Sequence, residues 1–423
     1  MPENSSLRIP RPLPRIARFE KLGFGLFLHW GLYSLQEQGE WVRFLLKIDE
    51  KKYRSLMGKF EAEAFSGRKI AAWAKSVGIR YIVLTTRHHD GFSLYDTCGL
   101  STFDAPHSAA KRDLVADFVE GCRAEGIIPF FYHTTIDWTW DFELKPQPGK
   151  WFSDYLHYFH QSVEILCKNY GKIGGLWFDG NWAYPHADWK EDRLYKIIRK
   201  HQPDAIIVNN TGLHHRGKQG HPEVDSVTYE QSLPGAINRR GLNKYIAGEM
   251  CQTFNGHWGI GGEDFNYISP AKVIENLSLC RKVGANYLFN IGPTAAGEIP
   301  PYEKTAMNVV GRWMNHYSEA IREGKPCEVA APGQDFILQG KNCYYYFAFE
   351  LPVRGNEAVT VGSGNLMTRA IQNFPVKIKQ IQWMDSSQKL PFTQDLKNKI
   401  AAVQWNGYEY GRNHVVRVAK IDI

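Results

Sequence analysis

The chain has 423 residues, 43% apolar and 22% charged, so it can bury a large core and is neither fibrous nor disordered in composition. Its net charge of +7, from 51 basic and 44 acidic residues, is scattered without a long Lys/Arg stripe on any helical pattern, which argues against nucleic-acid binding. Seven cysteines without a C-x-x-C pair suggest neither a disulfide framework nor a zinc ribbon, and no apolar run approaches the ~20 residues of a membrane span.

The N-terminus, MPENSSLRIPRPLPR, lacks the apolar core of a signal peptide, so a cytoplasmic location is expected. Pro10, Pro12 and Pro14 interleave with Arg8, Arg11 and Arg15, with Arg18 following; this predicts an extended, polyproline-like packing arm. Eight short apolar runs come next, at 24–31, 80–86, 127–134, 174–180, 205–210, 227–231, 245–249 and 286–293. Most are nearly continuous in apolar residues, as parallel strands buried on both faces are. Helix-period segments such as RKIAAWAKSVG, KRDLVADFVEGCRAEG and SPAKVIENLSLCRKVG fill most of the intervals. A closing helix places Ala306, Val309, Val310, Trp313, Met314 and Tyr317 at three-to-four spacing.

This pattern predicts an α/β fold, an irregular (β/α)8 TIM-like barrel over residues 1–325, with the irregularity around strands five to seven. Near Gly324-Lys325-Pro326 the texture changes to short alternating segments: DFILQG, CYYYFAFEL, AVTVG, VKIKQIQWM and VVRVAKIDI. Residues 326–423 are therefore expected to form a small C-terminal antiparallel β-sandwich. Trp383, Trp405, Tyr408 and Tyr410 look exposed enough for a carbohydrate-binding module, although a bracing domain is the preferred reading.

Catalytic groups in such barrels gather at the C-terminal ends of the strands. There the sequence offers His29-Trp30-Gly31, Arg87-His88-His89-Asp90-Gly91, Tyr132-His133, Trp177-Phe178-Asp179-Gly180 and Glu249. A carboxylate inside the apolar run GGLWFDG is costly to bury unless paired or used, so Asp179 is the sharpest candidate; capping the next helix is its alternative role. Adjacent histidines on an extended chain point to opposite sides. His88 and His89 are thus readable as a core residue and its neighbour, as metal ligands, or as partners for sugar hydroxyls. The last is preferred, because ligand pairs more often stand two or four residues apart. No metal site and no cofactor are expected.

The motifs FGLFLHWG, GIRYIVLTTRHHDGFSLYDT, YHTTIDW, GGLWFDG, GEMCQTFNGHWG and NYLFNIGPTAAGEIP run in order from 24 to 300. In them the chain resembles glycoside hydrolase family 29, the retaining α-L-fucosidases, whose barrel-plus-sandwich architecture agrees with the pattern above. The resemblance implies a retaining exo-α-L-fucosidase acting on terminal α-L-fucosyl residues of oligosaccharides or glycoconjugates. It implies Asp179 as the nucleophile and Glu249 as the acid/base, with Glu40 and Glu230 in reserve. It implies His29, Glu40, Trp41, His88, His89, Tyr132 and Trp177 as substrate contacts. Where many members read Asn-Asp-Arg after strand five, this chain reads Asn209-Asn210-Thr211, and Arg216 is the substitute cation.

The chemistry suits these residues. A retaining glycosidase uses two carboxyls roughly 5–5.5 Å apart, one ionised and one with a raised pKa, and needs no metal. The methyl group of fucose calls for an apolar wall beside a polar cluster. Two alternatives stay open: a fucose-binding protein without hydrolysis, and a retaining glycosidase of related specificity such as α-L-galactosides. Neither a nucleic acid nor a membrane is expected as partner; the N-terminal arm and the β-domain are both surfaces on which a homo-oligomer could form.

Overall fold

The computed structural model describes residues 8–140, 142, 148–210, 217–354 and 367–423. They fall into two compact units, Met1–Ile268 with Asn286–Thr305, and Ser269–Ala285 with Ala306–Ile423. The second unit takes in the helix Pro270–Lys282 and most of Pro301–Glu323 as well as the C-terminal strands.

In the first unit eight parallel strands close into a barrel in sequence order: β1 (Phe24–Leu28), β2 (Tyr81–Arg87), β3 (Ile128–Thr134), β4 (Gly175–Asp179), β5 (Ile206–Asn210), β6 (Ser226–Glu230), β7 (Ala247–Gln252) and β8 (Asn286–Ile291). Each expected run coincides with its strand. The seventh extends further than the pattern suggested: Met250, Cys251 and Gln252 continue the ladder beyond Glu249. Among the described residues no helix occurs between β5 and β6 or between β6 and β7, and the β5–β6 register holds only Val208 against Ser226. The irregularity thus sits where helical periodicity was missing.

Alternate residues of each strand face the barrel axis. Phe27, Tyr81, Val83, Phe130, Tyr132, Trp177, Ile206, Val208, Ala247, Cys251 and Leu288 form one buried cluster there. Gly25 makes room for Tyr81, whose ring would lie 2.3 Å from a Cβ at that position.

The N-terminal arm is not extended throughout. From Pro14 it is helical, to Glu20, because proline suits the first helical turn and Ile16 and Phe19 gain burial against that cluster. Arg15 anchors it through a two-pronged bond to buried Asp225, at 3.1 and 3.0 Å.

Two helices flanking β2 and β3 touch through glycines. A Cβ on Gly121 in Leu114–Glu125 would stand 2.1 Å from the backbone nitrogen of Arg68 and 2.2 Å from the carbonyl carbon of Gly67. Helix propensity alone favours alanine by about 1 kcal/mol, but overpacking against backbone costs roughly 1–3 kcal/mol or more. Gly121→Ala is therefore expected to lower the thermal unfolding midpoint by several degrees; an unchanged or higher midpoint in calorimetry would show that the helices separate freely.

In the second unit one sheet has the order β13-β16-β11-β10-β9: Gln380–Trp383, Arg417–Asp422, Cys343–Ala348, Phe336–Gln339 and Lys325–Pro326. The other has the order β12-β15-β14: Met367–Ile371, Ile400–Trp405 and Phe392–Asp395. Ile337, Tyr346, Ile381, Ile371 and Val403 pack between them with Trp383, Trp405 and Tyr408. Those last three aromatics are core residues, not an exposed sugar platform; of the four singled out, Tyr410 alone is exposed, at 74%. The AVTVG segment lies outside the described residues. No described helix is long and apolar enough to cross a membrane.

Candidate active site

The inward-facing positions at the C-terminal ends of the strands are polar, where the layers beneath are apolar but for the Glu249 carboxyl. Phe27, Tyr132 and Trp177 form an aromatic floor: Phe27 to Trp177 is 5.2 Å edge-on, and Tyr132 to Trp177 is 5.7 Å stacked. Above it β1 leads to His29, β4 ends in Asp179, β5 in Asn210 and β6 in Glu230.

His29 is buried beside Asn290, its Nδ1 2.6 Å from Asn290 Oδ1. The Asn290 amide group donates to the Trp258 carbonyl at 2.7 Å. That fixes which side of the amide faces the ring, so His29 Nδ1 carries the proton and Nε2 is a lone-pair acceptor. Burial pushes the His29 pKa down to about 3, against the opposing pull of Asn290 and Asp179. Burial, with His89 and His29 nearby, likewise holds His88 well below the ordinary histidine range. Both rings are therefore neutral donor–acceptors at working pH, the form that suits sugar hydroxyls. His88 Nδ1 is buried with no hydrogen-bond partner among the described residues.

Asp179 is surrounded by donors. Tyr132 OH donates to Oδ2 at 3.1 Å, and His89 Nε2 lies 3.5 Å from the same oxygen. Trp182 Nε1 donates to Oδ1 at 3.0 Å and Asn210 Nδ2 to Oδ1 at 3.3 Å. Burial by itself would raise the Asp179 pKa. The contacts with His89, Trp182 and Tyr132 outweigh it and keep the carboxyl below its ordinary value and ionised.

Asn210 Nδ2 also donates to Glu230 Oε2 at 2.7 Å. One amide nitrogen thus joins the two carboxyls, and Asp179 Oδ1 and Glu230 Oε2 stand within about 6 Å of each other, close to the roughly 5–5.5 Å of a retaining pair. Thr228 Oγ1 donates to Asn210 Oδ1 at 2.9 Å, which sets the orientation of that amide.

Glu249 has different surroundings. It is 1% exposed and faces the barrel interior in mid-strand. Tyr81, the first residue of β2, donates to Oε2, and Trp177 Nε1 donates to Oε1 at 3.0 Å. Burial raises its pKa to about 7 despite these two bonds. The value would suit an acid, but the position does not: the carboxyl is enclosed in the layer of Trp177, two residues below Asp179 on β4.

Glu40 is also buried, and its Oε2 accepts from the backbone nitrogens of Trp258 at 3.0 Å and Gly259 at 2.8 Å. It holds the turn that presents Trp258, whose ring stands 5.0 Å from His29. Trp41 borders the site on the other side, 5.4 Å from His89, 5.2 Å from Trp138 and stacked on Trp182 at 5.8 Å.

Of the expected site residues, His29, Trp41, His88, His89, Tyr132, Trp177 and Asp179 come together, Glu40 supports them from behind, and Glu249 lies beneath. Arg216 falls outside the described residues. Asn210, Trp182 and Trp258 were not among the expected contacts. A strand-end rule applied to β5, as it was to β4, would have found Asn210. Among the described residues no group of three or more His, Cys, Asp or Glu side chains could hold a metal ion.

Residues 2–319 match the family described as Alpha-L-fucosidase. The chain is 27% identical over 370 residues to the tissue alpha-L-fucosidase of Mus musculus, covering 80% of this chain and 78% of that protein. Among solved structures, alpha-L-fucosidase isoenzyme 1 from Paenibacillus thiaminolyticus is 28% identical with a TM-score of 0.80, covering 97% of this chain and 98% of that one. A GH29 alpha-L-fucosidase from Bacteroides thetaiotaomicron, trapped as a covalent intermediate with 2-fluoro-fucosyl fluoride, shares the fold at a TM-score of 0.82 and 21% identity, covering 98% of this chain and 97% of that one.

Proposed function

The chain belongs to the α-L-fucosidase family and is an α-L-fucosidase, a glycoside hydrolase; from that premise we propose that it releases terminal α-L-fucose with retention, using Asp179 as nucleophile and Glu230 as acid/base. The observation that carries this reading is the Asn210 amide, which brings these two carboxyls together at the ends of neighbouring strands.

In the first step an Asp179 oxygen attacks the anomeric carbon as the glycosidic bond breaks. The departing oxygen takes its proton from Glu230, leaving a fucosyl ester on Asp179 and a carboxylate on Glu230. In the second step Glu230 takes a proton from water, the water oxygen attacks the same carbon, and Asp179 departs as carboxylate. The donors around Asp179 serve it twice, keeping it ionised before attack and stabilising it as it leaves. Neutral His29 and His88 with His89 suit the sugar hydroxyls, and the Phe27–Tyr132–Trp177 floor suits its methyl group. Glu249 is assigned to the core, not to proton transfer. Fucosylated oligosaccharides or glycoconjugates are the proposed substrates.

The test is the stereochemistry of the first-formed product. Proton NMR of 4-nitrophenyl α-L-fucoside turnover should show α-L-fucose before any β-anomer from mutarotation. Initial β-fucose would mean inversion, and no turnover would remove the reading for this substrate class.

A further inference from the structure

We infer that Asn210 is a positioning residue that ties the nucleophile to the acid/base and sets the pH range over which the pair works. The inference rests on the reading of Asp179 and Glu230 given above and adds the element that couples them. The Nδ2 group has two protons and two carboxylate acceptors, at 3.3 Å on Asp179 and 2.7 Å on Glu230. Its own carbonyl is held by Thr228 at 2.9 Å, so the amide cannot turn over without losing that bond. Asn210 is 4% exposed and sits in register with Asp179 across the β4–β5 ladder. The link therefore runs through three adjacent strands, not through a loop.

The chemical consequence follows from what each proton does. Two carboxylates this close repel, which raises the pKa of whichever ionises second. An N–H donated to each carboxyl favours its ionised form and opposes that rise, so it lowers the pH window in which one of the pair is ionised and the other protonated. It also fixes their separation while the charge passes from one to the other during the cycle. Other described groups bear on the same pair. His89 and Tyr132 contact Asp179 directly, and His29 acts on it through space. On β7, Cys251 feels Glu230, Glu249 and Asp179, and burial with these charges holds its thiol protonated. These groups act on one carboxyl or through space, whereas Asn210 donates a hydrogen bond to each.

The decisive variant is Asn210→Asp, with Asn210→Ala beside it. Asn210→Asp keeps the shape and the bond from Thr228 but removes both donated protons. The expected result is a kcat/KM profile whose acidic and basic limbs both move to higher pH, by about one unit or more, with kcat at pH 7 reduced at least roughly tenfold. Part of that loss returns on the acidic side, as the introduced carboxyl is protonated. Asn210→Ala should move the limbs in the same direction without that recovery. A role in packing alone would leave the limbs of Asn210→Asp where they are, and wild-type limbs with kcat/KM within twofold would overturn the inference. Should Asn210→Asp fail to fold, as judged by its circular dichroism, the same two readings on Asn210→Ala decide. The outcomes separate from the underlying reading: a wild type inactive on aryl fucosides sinks the function itself, while an active wild type with an indifferent Asn210→Asp sinks only the bridge.

Discussion

Asp179→Gly is expected to lower hydrolysis of 4-nitrophenyl α-L-fucoside by roughly four orders of magnitude, equivalent to about 5 kcal/mol of transition-state stabilisation. Added azide should restore turnover and yield β-L-fucosyl azide. The configuration of the product matters as much as the rate. With the carboxylate gone, the small anion occupies the face that Asp179 commanded, and a single displacement inverts the centre. The variant should remain folded, because Asp179 is a half-buried rim residue whose neighbours His89, Tyr132 and Trp182 retain their own packing. An active Asp179→Gly, or a dead variant that azide leaves dead while L-fucose still binds, would break the assignment.

Replacement of the two glutamates should have opposite consequences. Glu230→Ala should lower kcat/KM about 10²–10⁴-fold for substrates with poor leaving groups, such as methyl α-L-fucoside, and abolish the basic limb of the pH profile. With a 2,4-dinitrophenyl leaving group, which needs no protonation, the first step should survive. Azide should then trap the glycosyl-enzyme as the α-azide. Glu249→Gln should keep most of the activity and change stability instead. Its carbonyl can still accept from Trp177, and its amide can donate to Tyr81. The folded-state pKa of Glu249, about 7, lies above that of an unfolded glutamate near 4.5. A raised pKa means that the folded protein binds the proton more tightly. The associated stability is present in full below about 4.5 and is lost as pH rises through about 7, a difference of up to about 3 kcal/mol. Glu249→Gln removes that dependence, so its unfolding midpoint should exceed that of the wild type at pH 8 and approach it at pH 5. A Glu249→Gln enzyme without activity beside an active Glu230→Ala would reverse the two roles.

Much of the architecture was legible in the sequence because buried parallel strands are short, continuous and apolar. All eight runs coincide with strands, and the missing helical periodicity at 211–246 marked the irregular side of the barrel. The depth of Glu249 was less legible for a specific reason. The run YIAGE looks as if it ends at Glu249, which would put the carboxyl on the rim. Met250-Cys251-Gln252 carry the ladder further, and so leave Glu249 inside. By contrast VTYEQ ends one residue after the last strand position, Glu230, so on β6 the run does place its carboxylate at the strand end. The N-terminal arm shows a second limit. Its prolines suggested an extended chain, yet the third of them starts a helix, because a proline at the first helical position costs nothing and Phe19 gains burial. In the C-terminal strands the alternation was visible, but it did not reveal which aromatics face inward. Trp383 and Trp405 meet at 4.9 Å within the sandwich, a pairing set by two sheets that the sequence does not align.

The contacts that shape the sugar site also bear on the order in which the barrel folds. His29 is held by Asn290, 261 residues later, and Glu40 by the turn at Trp258, 218 residues later. These bonds lie beside the β1–β8 ladder, the last seam that a chain emerging from its N-terminus can complete. Contacts of such long range carry the largest loop-closure entropy and form late. Ring closure therefore completes the pocket: a chain ending before β8 carries Asp179, Asn210 and Glu230 but lacks the Asn290 that seats His29, and a ligand that binds only the closed barrel stabilises that seam.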